Sequence, residues 1–170
     1  MLSVWITGAS SGIGEACAYR YAEEGARLVL TSSSVNRLEP VAARCRELGA
    51  TEVNILPCDL TCLDGIDTLT DKAWDAMKGI DIVMLNAGIS QRTNVEDTSM
   101  EMVRKIMEIN YFAPVAIAKR LLPKMVGRGY GTRDHESHSK REERSAGRKK
   151  RTSYGIYQTI LPRIMRHSCP

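Results

Sequence analysis

Thr7-Gly8-Ala9-Ser10-Ser11-Gly12-Ile13-Gly14 is the stretch on which the reading of this 170-residue chain turns. A short apolar run, residues 2–6, leads into it, and Glu15, Ala16, Cys17, Ala18, Tyr21 and Ala22 carry it onward with helical spacing. A strand, a glycine turn and a helix in that order make a nucleotide phosphate site. The glycines let backbone approach a pyrophosphate, and the helix N-terminus offers free N–H groups and a partial positive charge. Three residues separate Gly8 from Gly12 and one separates Gly12 from Gly14, a spacing that differs from the common G-x-G-x-x-G fingerprint. Gly8, Ser10, Ser11, Gly12, Ile13 and Gly14 are the candidate phosphate-binding residues.

Working outward, residues 26–31 read as a second buried strand, because Leu28, Val29 and Leu30 run together without alternation. Leu38, Val41, Ala42, Cys45 and Leu48 fall at helical spacing, and Gly49 stops that helix. Residues 53–56 form a third strand ending at Pro57-Cys58-Asp59-Leu60. Ile66, Leu69, Ala73, Trp74 and Met77 make a third helix that ends near Gly79, and residues 81–85 a fourth strand leading to Asn86-Ala87-Gly88. Thr98 with Glu101 reads as a capping box. It opens a long helix that Val103, Ile106, Met107, Ala113, Ala118, Leu121 and Leu122 carry to about Val126. Strands alternating with helices predict an α/β fold: a doubly wound, Rossmann-like parallel sheet of about four strands and four helices, incomplete as it stands.

The net charge of +4 hides a division. Residues 1–126 carry 13 cationic and 16 acidic side chains, whereas residues 127–170 carry 11 and 4. The regular pattern stops at Gly127, and between Gly131 and Ser153 the only apolar residue is Ala146. Such a stretch cannot supply a buried parallel strand, which needs Val, Ile or Leu on both faces. Residues 1–126 are therefore expected to form a dinucleotide-binding domain and residues 127–170 a basic, mostly disordered tail. The final stretch, residues 154–165, has the makings of a short helix interrupted by Pro162. The cluster Arg148-Lys149-Lys150-Arg151 reads as a solvated run or as a nucleic-acid contact. No aromatic residues interleave it, so no nucleic-acid partner is expected.

The five cysteines, Cys17, Cys45, Cys58, Cys62 and Cys169, form no C-x-x-C pair, and no leader is expected ahead of them. Reduced thiols in an intracellular, cytoplasmic setting are the expectation. No apolar run approaches the ~18 residues of a membrane span. His135, His138 and Cys169 lack metal-site spacing, so no metal is expected.

The string T-G-A-S-S-G-I-G resembles the cofactor loop of the short-chain dehydrogenase/reductase family, and the likeness extends over residues 2–126. Asp59-Leu60 resembles the family's acidic element that receives the adenine amino group, with a helix-capping Asp before Thr61 as the plainer alternative. Asn86-Ala87-Gly88 matches the family's N-A-G element, Leu85 standing where a further Asn is frequent. Asn110 falls where the family places its catalytic Asn. Pro114, four residues on, has no N–H and would leave the Asn110 carbonyl free to hold a water; a simple proline kink is the other possibility. The phrases Ile89-Ser90-Gln91-Arg92 and residues 104–111 are similar to the branch holding dehydrogenase/reductase member 7 and the 11-beta-hydroxysteroid dehydrogenases, which implies steroids, retinoids or other apolar carbonyls as substrates.

The resemblance implies NAD or NADP as cofactor. Its choice is read after the second strand, at Thr31-Ser32-Ser33-Ser34, where no carboxylate stands to bind ribose hydroxyls and repel a 2′-phosphate. Arginines frequent there in the related branch are replaced by Ser33 and Ser34, whose hydroxyls lean the choice toward NADP; a solvated turn with Ser34 capping the next helix is the alternative.

The catalytic half is where the chain departs from the family. Hydride transfer to a carbonyl needs an acid for the oxygen, which the family supplies as a Tyr activated by a Lys four residues on. Four residues after Tyr19, Tyr21, Tyr111, Tyr130, Tyr154 and Tyr157 stand Glu23, Gly25, Val115, Asp134, Gln158 and Leu161. Tyr154 lies at about the family's distance beyond Asn110, yet Gln158 supplies no cation and Arg141 occupies the Ser position. Two functions are therefore expected in competition: an NAD(P)-dependent oxidoreductase of an apolar carbonyl, or an inactive nucleotide-binding fragment. A second copy or a partner covering the open sheet edge is expected in either case.

Overall fold

A computed structural model describes residues 1–128. The expectations for a disordered tail, a short helix at residues 154–165, the basic cluster, Tyr154, and the residues His135, His138 and Cys169 lie outside the described residues. Within them the elements follow the alternation read from the sequence. β1 is Ser3–Thr7, α1 Gly12–Glu23, β2 Arg27–Thr31, α2 Val35–Glu47, β3 Glu52–Ile55, α3 Ile66–Met77, β4 Ile82–Leu85, α4 Met100–Met107 and α5 Ala113–Gly127.

The four strands are all parallel, in the order β3-β2-β1-β4. Val4 stands opposite Leu28 on one side and Ile82 on the other, which makes β1 the central strand and accounts for all five of its residues being buried. The chain steps outward from β1 to β2 and β3, then returns to the far side of β1 for β4. That reversal leaves a crevice at the carboxyl ends of β1 and β4, where ligands bind in open α/β sheets.

Side chains alternate across each strand, so the two faces of β1 feed different cores. Trp5 and Val29 join Ile66, Leu69, Ala73 and Met77 of α3 and Ala113, Ile117 and Leu121 of α5 in one buried cluster. The Trp5 indole finds its partner inside it, Nε1 donating to Thr31 Oγ1 at 3.0 Å. Cys17, Ala18, Tyr21 and Ala22 of α1 and Leu38, Val41, Ala42 and Cys45 of α2 supply the buried side chains of the other helical layer.

Two local expectations are corrected. The cap opening α4 is Ser99, whose hydroxyl accepts from Met102 N–H at 3.2 Å; Thr98 is turned back, its hydroxyl donating to Asn94 O. Thr98 is thus spent on the preceding turn and is no capping-box residue. The long helix is also not uniform. Between α4 and α5 lies one widened π turn, Glu108–Phe112, in which Ala113 N–H bonds to Glu108 O. Pro114 sits just past it in the first turn of α5, and having no N–H it leaves a carbonyl of the π turn without a helical donor. The irregularity is a π bulge that ends at Pro114. Leu122, Val103 and Met107, read as core positions, lie on exposed faces.

Candidate nucleotide-binding site

The β1–α1 loop is fastened to the end of β4 by the smallest groups available. Thr7 Oγ1 donates to Met84 O and accepts from the N–H groups of Asn86 and Ala87, both at 3.1 Å. Asn86 Nδ2 donates to Gly8 O at 3.3 Å, and Ala9 N–H to Thr31 O at 3.1 Å. One threonine hydroxyl thus holds the turn after β1 and the turn after β4 together.

Two glycines are required by this closeness. Gly8 has φ +66°, and a Cβ there would lie 2.8 Å from Ala87 Cα. A Cβ on Gly14 would lie 2.2 Å from Gly8 O and 2.7 Å from Asn86 Nδ2. Glycine at position 14 lets α1 start directly beneath the loop, and the N–H groups of a helix's first turn have no intrahelical acceptors. Ser11 is the N-cap, in extended conformation with no side-chain cap bond.

The crevice encloses about 360 Å³, within the usual range for ligand clefts. Of the residues expected from the sequence, Gly8, Ser10, Ser11, Ser33, Asp59, Leu60, Asn86, Ala87 and Gly88 line it. Gly12 and Ile13 belong to the exposed start of α1, Gly14 is buried behind the loop, and Ser34 serves as the N-cap position of α2. Ser34 makes no side-chain cap bond; its backbone is instead held by Ser32, whose hydroxyl donates to Ser34 O and accepts from Ser34 N–H.

Asp59 lines the crevice, and the helix-capping role read as its alternative falls to another residue: Gly65 is the N-cap of α3, and Asp59 instead closes a local turn onto Thr61. Its Oδ1 accepts from the N–H of Thr61 at 3.0 Å and from the Thr61 hydroxyl at 2.9 Å. Those two bonds, the backbone one foremost, hold its carboxyl below the usual range, so it is ionised at neutral pH. Its Oδ2 makes no hydrogen bond among the described residues. Beside it the half-buried Cys58 thiol is pushed up by desolvation and stays protonated.

Asn110 does not line the crevice, but it shapes it. Its Nδ2 donates to Ile89 O and its Oδ1 accepts from Ile89 N–H, both at 2.9 Å, and Ile89 is in the lining. The π turn that carries Asn110 is thereby tied to the loop after β4 through both halves of one amide. Ser32, Arg37, Cys58, Ile89 and Ile109 also line the crevice and were missed in the sequence. Arg37 had a signal: three residues after an N-cap at Ser34, a side chain in the first turn of α2 lies back over the β2–α2 loop. Among the described residues no group of three or more His, Cys, Asp and Glu is placed to hold a metal ion. Nor is any described helix long and apolar enough to cross a membrane.

A parallel sheet with a glycine-rich turn and a bare helix N-terminus at its switch point defines a nucleotide-binding α/β domain of Rossmann type. The chain belongs to the short chain dehydrogenase family, whose model matches residues 3–132. It is 41% identical over 131 residues to dehydrogenase/reductase SDR family member 7 of Homo sapiens, covering 75% of this chain and 39% of that protein. A hydroxysteroid 11-beta-dehydrogenase 1-like protein of Danio rerio is 34% identical over 120 residues, covering 71% of this chain and 42% of that protein. Among solved structures, a metagenomic short-chain oxidoreductase in complex with NADP superposes with a TM-score of 0.72 at 27% identity, covering 76% of this chain and 59% of that one. The chain thus spans about two fifths of the length of the curated relatives it matches.

Proposed function

We propose that this chain is the cofactor-binding part of a short-chain dehydrogenase/reductase, taking NADP or NADPH in the crevice at the ends of β1 and β4. The observation that carries this is the contact of Gly14 with Gly8 and Asn86, where a Cβ would come within 2.2 Å of backbone and which leaves the α1 N-terminus open to a pyrophosphate. The residues present fit a dinucleotide. Backbone N–H groups and Ser10 and Ser11 suit the pyrophosphate, and Asp59 Oδ2 suits an amino donor such as that of adenine. When bound, the nicotinamide would supply or accept a hydride. The substrate class suggested by the related branch is an apolar carbonyl or alcohol, such as a steroid or retinoid.

The second reading concerns catalysis. A carbonyl reduced by hydride needs a proton donor, and no His, Tyr or Lys is among the residues that line the described crevice. No tyrosine in the 170 residues has a lysine four places on. The chain as given is therefore proposed to bind the cofactor without turning it over, with Asn110 shaping the loop and Tyr154 taking no catalytic part.

Titrating NADPH into the purified chain should quench protein fluorescence, through Trp5 and Trp74, and enhance that of the nicotinamide. Adding a steroid ketone or retinal should leave absorbance at the nicotinamide band constant. Absence of binding refutes the cofactor assignment; turnover that Tyr154→Phe abolishes refutes the inactive one and restores Tyr154 as the acid.

A further inference from the structure

The crevice wall carries a pair of thiols that nucleotide binding leaves without a role. Cys58 lines the crevice, half-buried, and Cys62 stands four residues on, exposed; both are free. The other described cysteines, Cys17 and Cys45, are buried on α1 and α2.

One oxygen atom brings the pair together. Asp59 O accepts from the Cys58 thiol at 3.7 Å and from Cys62 N–H at 3.3 Å. The Cys58 sulfur therefore stands no farther from the Cys62 nitrogen than those two lengths laid end to end, and the turn between them keeps the residues within the short span a disulfide requires. The nearness is also felt electrically: after desolvation and the Asp59 carboxylate, Cys62 adds to what pushes the Cys58 thiol up. Cys58 is the anchored member, its N–H donating to Ser32 O at 3.0 Å just past β2. Cys62 is extended, with φ −105° and ψ 103°, ahead of a short 3-10 turn at Leu63–Gly65. Closing the pair must therefore move residues 59–62, and with them the Asp59 carboxylate that Thr61 holds from within the same turn.

We infer that Cys58 and Cys62 form a redox-sensitive pair on the crevice wall, which a small-molecule disulfide converts to an internal disulfide, and that this bond and an adenine nucleotide in the crevice oppose each other. The opposition rests on the nucleotide-binding reading above; the disulfide does not. The exposed Cys62 thiolate attacks one sulfur of glutathione disulfide, forming a mixed disulfide and releasing one glutathione thiol. Cys58, whose proton passes to solvent, then attacks Cys62 Sγ and releases the second. Two protein thiols are oxidised and one glutathione disulfide is reduced to two thiols. The linked turn re-aims Asp59 and draws the Cys58 sulfur off Asp59 O, altering two residues that line the crevice.

The full chain is equilibrated in glutathione buffers of rising disulfide content, quenched with acid, alkylated and digested with trypsin. Residues 47–72 make one tryptic peptide that holds Cys58, Cys62 and no other cysteine. It is expected to become lighter by two hydrogen atoms, free of alkyl and glutathione groups, and Cys62→Ser should abolish that species. Separate glutathione adducts on the two residues, or free thiols through the most oxidising buffer, overturn the inference. Adenosine 5′-monophosphate, titrated calorimetrically, should bind the linked form about tenfold more weakly than the reduced one, the worth of one charged hydrogen-bonded contact, and reduction should restore its affinity. By reciprocity, saturating nucleotide should raise by the same factor the oxidising poise needed to link half of the peptide. Equal affinity of the two forms overturns the opposition and spares nucleotide binding. If the nucleotide binds neither form, the nucleotide-binding reading falls and the opposition with it, while the linked peptide still decides the disulfide.

Discussion

Gly14 and Gly12 look alike in the motif and differ in what surrounds them. A Cβ at Gly14 meets a carbonyl oxygen at 2.2 Å, whereas at Gly12, with φ +59°, nothing lies within 4 Å. Gly14→Ala must push α1 off the loop, an overpacking that costs about 1–3 kcal/mol and widens the phosphate-binding turn. Gly12→Ala meets only backbone strain of about 1 kcal/mol. Denaturant unfolding and NADPH titration of the two variants check this: Gly14→Ala is expected to lose both more stability and more affinity. Equal losses would mean that the packing beneath the loop is looser than the Gly14–Gly8 contact implies.

Among the elements, α3 and α5 are joined by a small ionic network around Asp71. Its carboxylate accepts from Arg120 Nη2 at 2.7 Å and from Lys124 Nζ at 2.5 Å, and Lys124 and Arg128 lie over the Trp74 ring. The Arg120 hydrogen bond foremost, then that of Lys124, holds the Asp71 carboxyl well below the ordinary carboxylate range. A depressed folded-state pKa gives a contribution that is present in full above the unfolded value near 4 and is lost as pH falls toward the folded one. Asp71→Asn should therefore lower the unfolding midpoint slightly at pH 7, and the difference from wild type should narrow as pH drops from about 4 to 2. A gap unchanged over that interval would show that the ion pairs contribute nothing. The network is exposed, so salt should narrow the gap as well.

At the scale of the whole molecule the sheet has an edge strand at each end, β3 and β4, among the described residues. Among the described residues β4 is paired on one side only, by β1. Along the α4–α5 run Met100, Met107, Tyr111, Phe112, Val115, Leu122 and Val126 are all at least 40% exposed. An exposed apolar stripe and an unpaired strand edge are each places of association. The purified chain is expected to self-associate with concentration in sedimentation velocity and to bind a hydrophobic dye. A monodisperse monomer with a sharp cooperative thermal transition would contradict this.

What the sequence determined by itself is local: β1, the glycine turn and α1, the alternation of strand and helix, Asp59 after β3 and the N-A-G turn after β4. Each is written in hydrophobic periodicity or in backbone requirements a few residues long, so each is legible without knowing what lies across the fold. The expected strand limits fell within a residue of those found, and most of the expected lining residues do face the crevice. Only the tertiary structure decided the rest. Asn110 meets Ile89 across 21 residues, Thr7 meets the end of β4 across nearly 80, and Arg37 turns into the crevice because β2 and α2 bring it there. The π turn at Glu108–Phe112 has the same origin, since it sets Asn110 against the backbone of a distant loop. Periodicity says which face of an element is apolar. Which partner that face meets, and which polar atom finds a donor there, depends on contacts between residues that the chain itself keeps far apart.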